Sequence, residues 1–350
     1  MFLKKIRINS RTYLIIFSLI LLITIVLCST IGAAKITFFE ALYIIIRKLP
    51  VLNYIIPVKN ISATHNIIVL NLRLPRIILA ALIGFGLATM GCAFQAIFKN
   101  PMADPYVLGV SSGSALGAAI AIVIGIGYNF LGFGIITFSA FIGGILTTIM
   151  VYNIARVGNR IPTTTLLLAG ISANFLLSSI ITLLMVLNRQ QADKIIFWTM
   201  GSVSSASWTQ ILSVFPFVGI GFIIMMIYSR DLNIILTGDA MAKSLGIEVD
   251  KVKKLLLIIS SLVVGAIVAF SGIIGFVGLI SPHVARMLVG PDHKKLIPFS
   301  AIGGAIFMVL ADTLSRTIVA PAEIPIGAIT SLIGAPYFIF LLMKTKKKVF

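Results

Sequence analysis

Few residues of this 350-residue chain could do chemistry, and their spacing limits what chemistry that could be. Asp312 and Arg316 stand four apart in a long apolar run, so they share a helix face and could form an ion pair. An intramembrane charge is a functional hypothesis by default; a structural pair near a helix end is the equal alternative. Glu323 sits between Pro321 and Pro325, where an outer turn enters the last apolar run. Three histidines, His65, His283 and His293, have no Cys or carboxylate neighbours at metal-ligand spacing, so no metal site is expected. Cys28 and Cys92 lie in apolar stretches and read as small packing residues. Gln95 and Asn174 read as interhelical hydrogen-bonders first and pathway residues second. No G-x-x-x-x-G-K-[ST] phosphate loop occurs. The chain is therefore expected to bind no cofactor, and any ATP would be used by a separate subunit. No nucleophile–base constellation points to an enzyme. Nor does a chain of acids cross the apolar runs, which argues against an ion-coupled secondary transporter. That transporter, or a channel, stands as the alternative class.

These residues must be positioned by membrane-spanning helices. The chain is 59% apolar and 11% charged, where soluble domains carry about 25% charged residues. Each span needs roughly 20 apolar residues. Ten candidates occur, at about 12–33, 74–97, 108–127, 131–155, 163–187, 208–229, 253–272, 277–290, 296–317 and 325–343. The first resembles a signal peptide, but no small-residue cleavage site follows it directly, so it reads as a retained helix. The net charge of +18 comes from short Lys/Arg clusters between apolar runs. That pattern fits loops at an anionic leaflet and not a nucleic-acid surface. With the N-terminus inside, 19 of the 28 basic residues fall inside and 9 outside. Both termini are therefore expected in the cytoplasm, in a multi-pass membrane protein.

The fold class expected is an all-α membrane protein, a single domain over 1–350, with an inverted internal repeat and short broken helices. Gly84, Ala88, Gly91, Pro101 and Gly109 recur 181 residues later as Gly265, Ala269, Gly272, Pro282 and Gly290, five spans on and therefore in the opposite direction. Inverted repeats with Gly/Pro-interrupted segments mark transport pathways. Gly272, Gly275, Gly278 and Pro282 free backbone groups that lipid cannot satisfy, which implies a broken helix against protein or a watery cavity. Asn100 and Pro101 occupy the corresponding place in the first copy. Gly109, Gly113 and Gly117, with Ser111 and Ser112 between, give a nearly flat face. It suits close helix packing, or the lining of a wide pathway beginning at Leu108. Residues 34–70 read as an extended outer loop. In the polar stretch 230–252, Gly238–Asp239 reads as a helix start and Gly246 as its end. Ala240, Met241, Leu245 and Ile247 give that short element an apolar side. It could dock a partner or lie on the membrane surface.

The motifs Leu72-Arg-Leu-Pro-Arg76, Gly91-x-x-x-Gln95-x-x-x-x-Asn100-Pro-Met-Ala-Asp-Pro105 and Leu108-Gly-Val-Ser-Ser-Gly113 resemble a known family. So do Gly238-Asp-x-x-Ala242-x-x-Leu245-Gly246, Gly275-Phe-Val-Gly-Leu-Ile-Ser-Pro-His283, Leu310-Ala-Asp312 and Glu323-Ile-Pro-Ile-Gly327. The family is the FecCD-type transmembrane permeases of ABC importers for iron–siderophores, haem and cobalamin. The resemblance runs from about residue 70 to 343 and leaves out 34–70. It implies a homodimer with the pathway on its axis, two ATPase subunits below and one extracytoplasmic substrate-binding protein above. It implies that Gly238, Asp239, Ala242, Lys243, Leu245 and Gly246 form the ATPase-docking helix. It also implies that Arg73, Arg76 and Arg316 pair with acidic residues of the binding protein; a planar, multi-donor head suits that role. The cargo implied is a metal chelate, iron–siderophore first, with haem and cobalamin as alternatives.

Overall fold

The computed structural model describes residues 10–32, 34–48, 61–125, 129–130, 133–158 and 161–346. Of the basic residues used in the orientation count, Lys4, Lys5, Arg7, Lys59, Arg160, Lys347 and Lys348 lie outside this set, as does 49–60 of the outer stretch.

The described chain is nearly all helix, because a backbone in lipid must satisfy its own polar groups. In order, the elements are α1 (Ser10–Thr30), α2 (Phe38–Arg47), α3 (Ala63–Ile67), α4 (Leu74–Ile97), α5 (Val110–Ile124), α6 (Ile135–Ala155), α7 (Thr163–Leu187) and α8 (Arg189–Thr199). There follow α9 (Trp208–Ile227), α10 (Ser229–Leu236), α11 (Asp239–Ser244), α12 (Val249–Ser271), α13 (Val277–Val289), α14 (His293–Ser315) and α15 (Ile326–Lys346). A two-residue ladder pairs Asn129–Phe130 with Phe133–Gly134. Seven helices are long and apolar enough to cross a membrane, and α5, α13 and α15 supply shorter apolar helices. These ten coincide with the ten runs expected from hydropathy. Side-chain caps mark several starts: Thr37 for α2, Ser207 for α9 and Asp292 for α14.

Three expectations change. First, 34–70 is not simply a loop. Its described part holds α2, whose Ala41 and Ile44 pack with Ile36 and Val69, while α3 and a π-helical stretch Ile68–Arg73 extend α4 outward. Second, the break expected across 272–282 is confined to 272–276. Phe276 takes a left-handed conformation (φ 69), and α13 then runs through Gly278 and Pro282. Third, the 181-residue register does not survive. Gly91 is inside α4 but Gly272 follows α12; Pro101 is in a loop but Pro282 is inside α13. The element order does repeat. Long, short, long, long describes both α4–α7 and α12–α15, and an offset of five crossings, with four apolar helices between α4 and α12, reverses the second copy.

The core lies around α4, which is 83% buried over its apolar window. Glycines bring its neighbours to backbone contact. A Cβ on Gly84 would stand 2.1 Å from Gly304 O of α14. One on Gly91 would stand 1.8 Å from Gly278 O of α13. Without a hydrophobic force between helices in lipid, such close approach is what holds them.

Candidate functional site

α1 stops at Thr30 and its last carbonyls need donors. Arg73 gives Nη1 to Ser29 O (2.8 Å) and Thr30 O (3.1 Å), and Nη2 to Ala34 O (2.9 Å). Arg316 gives Nη2 to Cys28 O (2.5 Å) and Nη1 to Ile31 O (2.7 Å). Two cations thus cap one helix C-terminus, where the dipole favours positive charge. Arg76 does something different. Its Nε donates to Asp312 Oδ1 (2.8 Å) and its Nη1 to Glu323 Oε1 (2.7 Å). Arg316 Nε stands 3.7 Å from Asp312 Oδ2, so the i,i+4 pair exists but is the looser one. The side chains of Asp312, Arg76 and Arg316 are 0%, 11% and 9% exposed, against 39% for Glu323. Each of the three guanidiniums already has partners within this chain, α1 carbonyls for Arg73 and Arg316 and two carboxylates for Arg76.

Asp312 is the keystone of this network. Asp312→Ala should cost on the order of 3–5 kcal/mol, because it strands buried guanidinium charge. Asp312→Asn, which keeps an acceptor for Arg76, should cost clearly less. Thermal unfolding of the detergent-solubilised protein measures both; equal, small losses would show that the arginines find other partners.

Inside the bundle, the two irregular segments meet. Asp104 accepts from Tyr106 N (2.8 Å) and starts a 3-10 turn at Pro105–Leu108. Tyr106 Oη donates to Ile274 O (2.9 Å), in the break before α13. A Cβ on Gly278 would lie 3.0 Å from Pro105 Cδ. Asn100 accepts from Met102 N (2.9 Å) and turns the chain after α4, with Pro101 next. Gly275 lies in the break itself. Gln95 Nε2 donates to Leu279 O (3.2 Å), and Gln95 Oε1 accepts from Arg286 (2.7 Å), so Gln95 is the interhelical bridge expected of it. Asn174 Oδ1 has no hydrogen-bond partner among the described residues. The two buried cysteines are free thiols, and His283 packs edge-on against Tyr337.

The small-residue face goes mainly to packing. A Cβ on Gly113 would be 2.1 Å from Thr147 Oγ1, and one on Gly117 2.1 Å from Ser139 O, both on α6. Gly109 (φ 76) fits against Thr147 and Asn174. Leu108 and Ser111 are buried and Ser112 half-buried. Within one chain α6 and α7 fill the space that the glycines leave, while Leu108 lines an apolar groove shared with α12.

Between α10 and α12, Gly238 (φ 132) and Gly246 (φ 82) bracket α11 in conformations that favour glycine. Ala242 faces inward and is fully buried, while Met241 (56%) and Leu245 (61%) are exposed. Asp239 ties the element to two spans: Lys253 Nζ of α12 reaches Oδ2 (2.6 Å), and Lys99 Nζ, just past α4, reaches Oδ1 (2.7 Å). Lys243 pairs with Asp250 (2.9 Å). Burial pushes the Asp239 carboxyl up, but the two ammonium groups outweigh it and hold it below its ordinary value. Its ion pairs therefore persist above the usual carboxylate range and are lost only as pH falls through that lowered value. Sequence reasoning found Asp239 and missed both lysines, which lie 140 positions before and 14 after it.

Comparison with known proteins bears on both ends. The profile of the FecCD transport family matches residues 20–344. The cobalamin import system permease protein BtuC of Halobacterium salinarum is 42% identical over 286 residues, covering 81% of this chain and 75% of that protein. The hemin transport system permease protein HmuU of Yersinia pestis is 40% identical over 281 residues, covering 80% and 84%. A solved inward-facing structure, assigned to a metal-chelate type ABC transporter, superposes with a TM-score of 0.82 at 32% identity, covering 95% of this chain and 99% of that one.

Proposed function

This chain belongs to the FecCD transport family, and we propose on that premise that it forms, as a homodimer, the path by which a metal chelate enters the cell. It is a membrane permease of the ABC importer type, so ATP is consumed by a separate subunit. The observation that carries the mechanism is α11: apolar residues exposed outward, Ala242 buried beneath, and Asp239 gripping Lys99 and Lys253. A partner ATPase pushing on Met241 and Leu245 would pull on α4 and α12 together, through one carboxylate. Because α4 is locked to α13 and α14 by glycine contacts, that pull would reach the interior where Tyr106 meets Ile274. Both termini would lie in the cytoplasm, on the side of the basic majority.

At the outer face, Arg73, Arg76 and Arg316 would receive a substrate-binding protein's carboxylates by exchange and not as free groups. Arg76 is the one suited to exchange, since its partner Glu323 is the exposed acid of the network. Specificity would then rest mostly on the binding protein. The cargo is a metal chelate of the class named by the relatives, with iron–siderophore, haem and cobalamin to be tried in turn.

The test is ATP hydrolysis and uptake in proteoliposomes holding this chain, its ATPase and a binding protein loaded with each chelate. One loaded binding protein should stimulate both. Asp239→Asn should leave ATPase binding intact but lower uptake per ATP by about tenfold, because neutral Asn loses both charge-assisted contacts. Transport driven by an ion gradient without the ATPase would refute the reading.

A further inference from the structure

A groove of about 250 Å³ opens between the inner ends of α6, α7 and α12. Its walls are apolar: Ile149 of α6, Leu166 of α7, and Leu257 and Ile258 of α12, with Leu108 at its floor. Ile149 (51%) and Ile258 (44%) are exposed. At its rim stand Tyr152, Asn153 and Lys254. Lys254 is the sixth residue of α12, so it sits roughly 8 Å along the helix from its inner end. The apolar wall residues Leu257 and Ile258 come one turn deeper. A cation at headgroup depth above an apolar slot is the complement of one phospholipid.

The charges around Lys254 sharpen this. Lys99, Lys243, Lys251 and Lys253 are all held by carboxylates. Asp250, one turn before Lys254, is given to Lys243. Lys254 is an exposed side chain whose ammonium lies 5.8 Å over the Tyr152 ring, with no carboxylate paired to it among the described residues. Arg156, one turn after Tyr152, bonds Gly158 O (2.7 Å) and pairs with no carboxylate among the described residues. An ammonium at the groove rim with no paired carboxylate among the described residues leaves room for an anion.

We propose that this groove binds one anionic phospholipid of the inner leaflet, its acyl chain against Ile149, Leu257 and Ile258 and its phosphate against Lys254. The Tyr152 hydroxyl and the Asn153 amide are placed at the rim to hydrogen-bond the headgroup. The lipid would wedge α12, the helix that carries Lys253 of the docking cluster, against α6.

Native mass spectrometry of the permease–ATPase complex, reconstituted in phosphatidylcholine vesicles with or without phosphatidylglycerol, tests this. The complex should retain phosphatidylglycerol in preference to phosphatidylcholine. Lys254→Gln should lower that retention about fivefold, as expected for one basic residue at an anionic surface. Lys251→Gln, on a lysine already paired, should not. Ile258→Trp, which fills the slot, should lower retention of both lipids. Equal retention of the two lipids, or no effect of Lys254→Gln, would overturn the proposal. So would displacement of the lipid by millimolar inorganic phosphate, which would make this a simple anion site. Crosslinking of position 254 to the ATPase would also overturn it, by assigning the groove to a protein contact.

Discussion

Replacing Met241 and Leu245 together by aspartate should separate this permease from its ATPase while leaving the permease folded. Both side chains are more than half exposed, and α11 is anchored by other means: buried Ala242, and Asp239 held by Lys99 and Lys253. The substitutions therefore remove little that the isolated chain uses, a weak Ser244 Oγ contact to Met241 Sδ (3.7 Å) being the one lost. Full burial of a large apolar side chain contributes about 1.5–3 kcal/mol. Two such residues lost from a partner's cleft, with charges left in their place, should weaken association by about 100-fold or more. Titration of the labelled ATPase subunit onto the detergent-solubilised variant measures this, with unchanged thermal stability as the control for folding. Unchanged affinity would mean that α11 lies on the membrane surface, the other use of a short amphipathic element.

Gly91→Val should abolish folded protein, and for a reason that joins two distant sequence features. Pro282 has no N–H, so the carbonyl four residues earlier, that of Gly278, loses its helical donor. It is this carbonyl that Gly91 abuts: a Cβ there would stand 1.8 Å away, and the neighbouring Gly278 backbone within 2.9 Å. The obstruction is backbone in the middle of α13, which cannot rotate aside as a side chain can. A loss above about 4 kcal/mol, the range reserved for gross core conflicts, is expected. Expression and size-exclusion profile in detergent report it. Gly303→Ala is the control. It adds a methyl on α14 next to Gly304, but into open space with no atom within 4 Å, and should be near neutral. A folded, monodisperse Gly91→Val would show that the α4–α13 contact is looser than drawn.

Much of the fold was legible because hydropathy is local. A run of about 20 apolar residues is a span wherever it lies in the chain, so all ten crossings, including short α5 and α13, stand out before any packing is known. The ends of α11 were legible for the same reason: Gly238 and Gly246 take backbone conformations that glycine favours, whatever surrounds them. The break at 272–276 was seen but drawn too long, because proline forbids only one hydrogen bond, and α13 absorbs that loss where Gly91 closes over the freed carbonyl.

The roles of the charged residues belonged to the tertiary structure. Nothing near Asp312 in sequence announces Arg76, 236 positions away, as its main partner; the i,i+4 neighbour Arg316 was the visible choice and proved the looser one. Arg73, Arg76 and Arg316 were placed at the outer end from sequence, yet only the fold shows that two of them cap α1 and the third is shared by two acids. The Gly113–Gly117 face was read as flat, and it is. Whether a flat face packs or lines a path depends on what lies opposite, and α6 lies opposite. The sequence by itself determined the spans and the bounds of the short α11 element, since each follows from the solvent a residue must face or the backbone angles it can adopt. Pairing of charges, the seam between α4 and α13, and the meeting of Tyr106 with Ile274 were decided only by the tertiary structure, because each is a contact between segments whose separation along the chain carries no physical signal.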